Sequence, residues 1–417
     1  MTHAQRAAAG VTFPNGFRAG GVSTGIKRSG RPDLGIVLSD LPANAAGVFT
    51  TNVVRAAPVE IGERRLRSDA SSLLGVLTVS GVANAMTGPE GVSDNEEVLT
   101  ETERAFDLPR GSLLPACTGV IGPRLPVDRI LAALPSLRAG VGAGREHADR
   151  AALAMLTTDT RPKEAAVRLR LRSGERVRIG GMAKGSGMIA PQLGPLHATT
   201  LGVLTTDAHV DAPDLAAVLE HEVDSTFNMV SVDGDTSTND TVYLLANGAA
   251  GGPNAADDPA FRDGVHAVLE SLARQVARDG EGATKLLTVR VHGAHTLTDA
   301  RRAARAVVSS TLVKAALFGA DPNVGRIACA VGYSGAKLDP TRLDVSIPRP
   351  HRSIPLIVDG RPADGLDNGG GRRLRDLLRQ LDEVPLDVDL NAGRATATAW
   401  GCDLSYAYVQ INAAYHS

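Results

Sequence analysis

Short apolar, β-branched runs bounded by turn residues alternate along this chain with amphipathic stretches whose apolar residues fall three and four apart. Residues 35–39, 47–50 and 73–80 have the length and flanks of strands. After the small-residue turn 81–88, residues 95–106 carry helical spacing with an acidic first turn. Residues 113–117 read as a further strand that delivers Thr118-Gly119-Val120-Ile121-Gly122 at its end, where backbone N–H groups are free to face a ligand. Helices are predicted over 127–137 and 147–156, the second stopping at Thr157-Thr158-Asp159-Thr160. Residues 167–172 and 176–179 alternate around Ser173-Gly174 in the pattern of a hairpin.

The second half continues in the same manner. Leu215, Val218, Leu219 and Val223 make one helical face over 212–228, residues 241–246 resume a strand, and 248–258 form a surface loop. Phe261, Val265, Val268, Leu269, Leu272 and Val276 form the longest amphipathic stripe. A strand over 286–292 precedes a helix over 298–317 that ends at Gly319, with Pro322 beyond it. The tail from 327 alternates short strands with the loop 364–373, which feeds a helix over 374–381. No fixed period recurs, and interleaved strands and helices indicate an α/β class.

Composition narrows the function. Forty-four basic against 46 acidic residues leave a net charge of -2, which favours a small-molecule partner over nucleic acid or an anionic membrane. Cys117, Cys329 and Cys402 lie far apart, without Cys-x-x-Cys spacing or a histidine cluster, so neither a disulfide framework nor a zinc site is indicated. Asp233, Asp235 and Asp240 lack histidine partners and a calcium-loop pattern, and read as loop caps. With no leader-like start and no membrane-length apolar run, the expectation is a cytoplasmic protein.

The chemistry centres on residues 181–208, GMAKGSGMIAPQLGPLHATTLGVLTTDA. Glycine and proline crowd its first half, while 201–206 is a β-branched apolar run that makes a strand. A hydroxyl at Thr199 held against the carbonyl of Ala198 can attack it, convert the peptide to an ester and let water cut the chain. The cut frees an α-amine of pKa about 7.7–8.0 beside the same hydroxyl, a base suited to deprotonating it near neutral pH. On local composition alone a threonine capping a turn is the simpler reading. Thr118 and Gly119 offer a hydroxyl and a backbone N–H where an acyl-transfer oxyanion would need donors. Lys184, in a glycine loop, suits a substrate carboxylate, and Glu281, directly after the long helix, suits an ammonium.

The blocks Lys184-Gly185-Ser186-Gly187-Met188-Ile189, Ala198-Thr199-Thr200-Leu201 and Thr205-Thr206-Asp207-Ala208 resemble the self-cleavage region of the ornithine acetyltransferase family, the bifunctional glutamate N-acetyltransferase/ornithine acetyltransferases. Thr157-Thr158-Asp159, Ser237-Thr238-Asn239-Asp240-Thr241, Leu312-Val313-Lys314 and the C-terminal block from Tyr408 to Ser417 extend the likeness nearly end to end. The resemblance implies an α/β layered sandwich of mixed sheets and helices, the self-processing ornithine acetyltransferase/DmpA-like fold. It implies a cut between Ala198 and Thr199 into an α segment, 1–198, and a β segment, 199–417, which stay associated as a heterotetramer or larger assembly.

It further implies Thr199 as nucleophile, Thr118 and Gly119 as oxyanion hole, and Thr158, Lys184, Thr199, Glu281, Asn412 and Ser417 as substrate contacts. The activity would be ping-pong transfer of acetyl from N-acetylornithine to glutamate, in arginine biosynthesis, with no metal or organic cofactor. Extra residues around 192–197, relative to the family pattern, leave Thr200 open as a rival nucleophile. Val82 and Val324 stand where other residues are expected. These departures keep three alternatives in view: the same mechanism on a secondary-metabolite amine or N-acyl substrate, a self-processing amidohydrolase, and an uncut binding protein.

Overall fold

The apolar run that opens at Leu34 continues past the turn expected after residue 39 and forms one strand, Leu34–Phe49. Pro42 and Asn44 read as turn residues, yet the register slips between Leu38 and Ala43 and absorbs them as a bulge in the pairing with Leu73–Val82. The computed structural model describes residues 5–7, 9–190, 200–364, 366 and 370–414.

This strand joins two halves of a nine-stranded sheet. Its first part lies between Phe17–Val22 and Leu73–Val82, and the latter pairs in parallel with Leu113–Val120. Its second part pairs antiparallel with Thr241–Ala246, followed outward by Leu201–Thr206, Arg176–Lys184, Lys163–Arg170 and Gln5–Ala7. Bending at the bulge lays the halves face to face. Tyr243 in one half donates its hydroxyl to the carbonyl of Pro115 in the other, 3.0 Å away. Val37, Val76, Leu114, Met182, Val203 and Leu245 fill the space between them.

A second, seven-stranded sheet holds Asp344–Ile347, Ile354–Val358, Glu383–Asp389, Leu286–Ala294 and Ala395–Cys402, with two short edge strands. The helix Pro259–Arg278 lies between the sheets, because its stripe is wide enough to bury Phe261, Val265, Leu269, Leu272 and Val276 at once. The molecule is therefore the α/β layered sandwich expected. Among the described residues no helix is long and apolar enough to cross a membrane.

Helix boundaries depart from the sequence reading where side chains compete with the backbone. The helix expected over 298–317 is two, Leu297–Ser309 and Thr311–Phe318, because Ser310 turns out of the first and its Oγ accepts from Val313 N at 3.3 Å as the cap of the second. The helix expected at 95 starts at Gly88, since Pro89 is compatible with a first turn. Tyr406–Ala413 was not expected to be helical: it buries no face, so its residues carry no amphipathic period.

Candidate active site

Beyond the strand Arg176–Lys184 and the loop 185–190, the described chain re-enters at Thr200, between two strand ends. Leu201 pairs with Lys184 on one side and with Thr241 on the other. The Thr241 N–H donates to Thr200 O at 2.9 Å. Thr200 is buried, and its Oγ1 has no hydrogen-bond partner among the described residues.

Facing this entrance are the ends of two parallel strands, with Ser80 opposite Thr118 and Gly81 opposite Gly119. Gly119 has φ +133°, and a Cβ there would sit 2.2 Å from the Gly81 carbonyl carbon, so only glycine permits this closure. The bend in the sheet carries Lys184 across to this edge, where its Nζ donates to Thr118 Oγ1 at 3.2 Å. Asn239 fixes the same edge from below, donating to the carbonyls of Ala83 and Cys117 at 2.6 and 2.9 Å.

Beneath the cleft is a buried network of alternating charges. Lys163 Nζ donates to Asp159 Oδ1 and Asp279 Oδ2, each at 2.6 Å, and Gly185 N donates to Asp159 Oδ1 at 2.8 Å. Burial alone would raise the Asp159 carboxyl, but the Lys184 and Lys163 charges outweigh it and hold the group well below the usual carboxylate range. Burial lowers the Lys184 ammonium from the ordinary lysine value, against the pull of Asp159. Asp240 is pushed well above the usual range by burial, although Lys184 opposes the shift. Its Oδ2 has no hydrogen-bond partner among the described residues. Asp240 is thus more than the loop cap expected, because it also lines the cleft. Asp233 does cap a loop, accepting from Met188 N and Ile189 N at 2.6 and 2.8 Å.

Glu281 enters from the end of the long helix. Its N–H donates to Ser186 O at 2.9 Å, and its Oε2 accepts from Asn412 Nδ2 at 2.7 Å. A Cβ on Gly187 would lie 2.4 Å from the Glu281 carboxylate, so this glycine allows the loop to close over it.

Thr118, Gly119, Thr158, Lys184, Glu281 and Asn412 together line one cleft of ≈ 710 Å³, its open mouth included. Ala198, Thr199 and Ser417 lie outside the described residues, as does the 192–197 segment. The supporting residues Asp159, Lys163, Asn239 and Asp279 were not singled out from sequence as site residues. The one signal that marked any of them was their place in the blocks Thr157-Thr158-Asp159 and Ser237-Thr238-Asn239-Asp240-Thr241. Chemically the cleft offers a hydroxyl and an N–H for a developing oxyanion, a cation for a carboxylate, and a carboxylate for an ammonium.

A family model described as the ArgJ family matches residues 18–417. The chain is 47% identical to the arginine biosynthesis bifunctional protein ArgJ of Symbiobacterium thermophilum over 416 residues, which is 98% of this chain and 99% of that protein. It is 43% identical to the mitochondrial protein of that name from Schizosaccharomyces pombe, over 97% of this chain and 93% of the relative. The Listeria monocytogenes serotype 4b protein is 41% identical, over 98% of each. Among solved structures, an arginine biosynthesis bifunctional protein chain from Bacillus halodurans aligns at 40% identity and TM-score 0.47, covering 51% of this chain and 97% of its own. An ornithine acetyltransferase chain from Mycobacterium tuberculosis, complexed with ornithine, aligns at 40% identity and TM-score 0.42, covering 46% of this chain and 99% of its own.

Proposed function

The chain belongs to the ArgJ family, and on that premise we propose that it moves an acetyl group from N-acetylornithine to glutamate through an ester on Thr199. It is an acyltransferase of arginine biosynthesis, of the glutamate N-acetyltransferase/ornithine acetyltransferase type. The precursor cuts itself between Ala198 and Thr199. The fragments 1–198 and 199–417 stay together because they share one sheet: Leu201–Thr206 is hydrogen-bonded to Arg176–Lys184, and Thr241–Ala246 to Leu34–Phe49. Further pairing gives a heterotetramer or a larger assembly.

In the first half-reaction the freed amine of Thr199 takes the hydroxyl proton as the oxygen attacks the acetyl carbonyl of the donor. The tetrahedral oxyanion is stabilised by the Thr118 hydroxyl and the Gly119 N–H. As the C–N bond breaks, the amine returns its proton to the leaving ornithine. Lys184 holds the α-carboxylate, and Glu281, fixed by Asn412, holds the ammonium of the ornithine side chain. In the second half-reaction the amine of glutamate attacks the ester, passes a proton to the Thr199 amine and restores the hydroxyl. Thr158 lines the same cleft and contacts substrate, and Ser417 is the remaining substrate contact. Each step uses groups of the chain itself.

The observation that carries this reading is that the Thr118 hydroxyl, Gly119, the Lys184 cation and the carboxyl groups of Glu281 and Asp240 line one cleft at the strand entrance that Leu201 opens, two residues after Thr199. The test is to incubate purified protein with N-acetylornithine and glutamate. Formation of ornithine and N-acetylglutamate in equal amounts is expected. Acetate release independent of glutamate would point to a hydrolase instead, and no turnover by fully cut protein would point to other substrates.

A further inference from the structure

A second cavity, ≈ 610 Å³ with its mouth included, adjoins the cleft and shares Thr157 and Thr158 with it. Its remaining wall is the segment from Ile26 to Ser29 together with Gly81, and it carries two cations, Lys27 and Arg28, and no carboxylate. Gly81 is the residue against which Gly119 packs, so the cavity lies directly behind the oxyanion edge.

The segment is held in a defined shape. Asp33, fully buried, accepts from the backbone N–H groups of Thr24, Ile26 and Lys27 at 2.7, 2.9 and 3.1 Å. Arg129 Nη1 donates to Gly25 O at 3.2 Å. A Cβ on Gly81 would meet Ile26 Cγ2 at 2.7 Å, so a glycine is needed for the segment to seat. Lys27 Nζ donates to the carbonyl of Pro32 at 2.7 Å, and neither Lys27 nor Arg28 has an ion-pair partner among the described residues. Burial lowers the Lys27 ammonium to about 8 against the attraction of Asp33, and Lys184 adds to the repulsion. Positive charge is therefore concentrated here, with neither side-chain cation in an ion pair among the described residues.

We propose that this cavity is the subsite for the acidic side chain of the acetyl acceptor, with Lys27 and Arg28 taking the distal carboxylate of glutamate. The inference rests on the function proposed above. Donor and acceptor share an α-amino acid end and differ at the distal end, ammonium in one and carboxylate in the other. The distal ammonium is matched by Glu281 in the cleft, and the distal carboxylate by the cations beyond Thr157 and Thr158. Two diverging distal sites let one threonine serve two substrates of opposite side-chain charge, and Lys27 and Arg28 repel ornithine from the acceptor position once the ester has formed.

The two half-reactions separate this inference from the reading beneath it. Rapid-quench measurement of ornithine released by N-acetylornithine alone reports the first, and steady-state kinetics with glutamate and with neutral glutamine report the second. Arg28→Glu, at an exposed position, and Lys27→Met are expected to raise KM for glutamate about tenfold or more and to bring the preference for glutamate over glutamine close to one. The ornithine burst is expected to persist in both. If Lys27→Met disturbs its segment, Arg28→Glu decides. An unchanged glutamate to glutamine ratio in Arg28→Glu, with a normal burst, would overturn the subsite. Absence of a burst in the unaltered protein would overturn the function itself, and the subsite with it.

Discussion

Lys184 Nζ donates to Thr118 Oγ1 across 3.2 Å, which occupies a lone pair of the hydroxyl and leaves its hydrogen with no acceptor among the described residues. A hydroxyl so placed is a donor in waiting, made more acidic by the ammonium behind it. It differs from a turn-capping threonine, whose hydrogen or lone pair is taken up by its own backbone.

Replacement of Thr118 by valine keeps the shape and removes the donor. The kcat for acetyl transfer is expected to fall about 100- to 1,000-fold with little change in KM, whereas Thr118→Ser retains most of the rate. Steady-state kinetics on fully cut protein provide the check, and a rate for the valine variant within a few-fold of the original would remove Thr118 from the oxyanion site.

Gly119→Ala is expected to act on stability as well as rate. The left-handed backbone at φ +133° and the 2.2 Å approach to Gly81 both exclude a side chain. Unfolding free energy should drop by about 1–3 kcal/mol or more, read as a lower denaturant midpoint with an unchanged slope. Transfer activity should fall too, because the N–H cannot hold its direction once the strand end moves.

Much of this scaffold could be read from the sequence, and the limits have physical causes. The long stripe from Phe261 to Val276 and the run Leu201–Thr206 are periodic because each packs against a fixed apolar surface, so their elements were legible. Leu34–Phe49 was not, because a bulge tolerates the proline and asparagine that elsewhere end a strand. Of the residues that line the cleft, Thr118, Gly119, Lys184 and Glu281 were candidates by their chemistry, and Thr158 and Asn412 through likeness to a family alone. The charged network below them was missed, since Asp279 lies more than a hundred residues from Asp159 and Lys163 and joins that local pair only when the long helix packs on the hairpin.

That network has a pH signature. Asp159 is depressed in the folded state, so its contribution is fully present above the unfolded carboxylate value of about 3.9 and is lost as pH falls through the lower folded value. Lys163→Met removes the cation that two buried carboxylates share and is expected to cost about 3–5 kcal/mol near neutrality. Asp159→Asn should also be less stable near neutrality but should lose less than the unaltered protein on acidification to about pH 2. Chemical denaturation across this range is the measurement. Parallel curves for the unaltered protein and Asp159→Asn would contradict the assignment.

The central claim is that the hydroxyl of Thr199 cuts the chain and then carries the acetyl group. Intact-mass spectrometry of the purified protein, of Thr199→Ala and of Thr200→Val tests it most directly. The expected result is two fragments beginning at Met1 and Thr199 in the unaltered protein and in Thr200→Val, the second gaining about 42 Da after exposure to N-acetylornithine. Thr199→Ala should remain one uncut chain. A cut that survives in Thr199→Ala, or an acetyl adduct that disappears with Thr200→Val, would contradict it and move the chemistry to another atom.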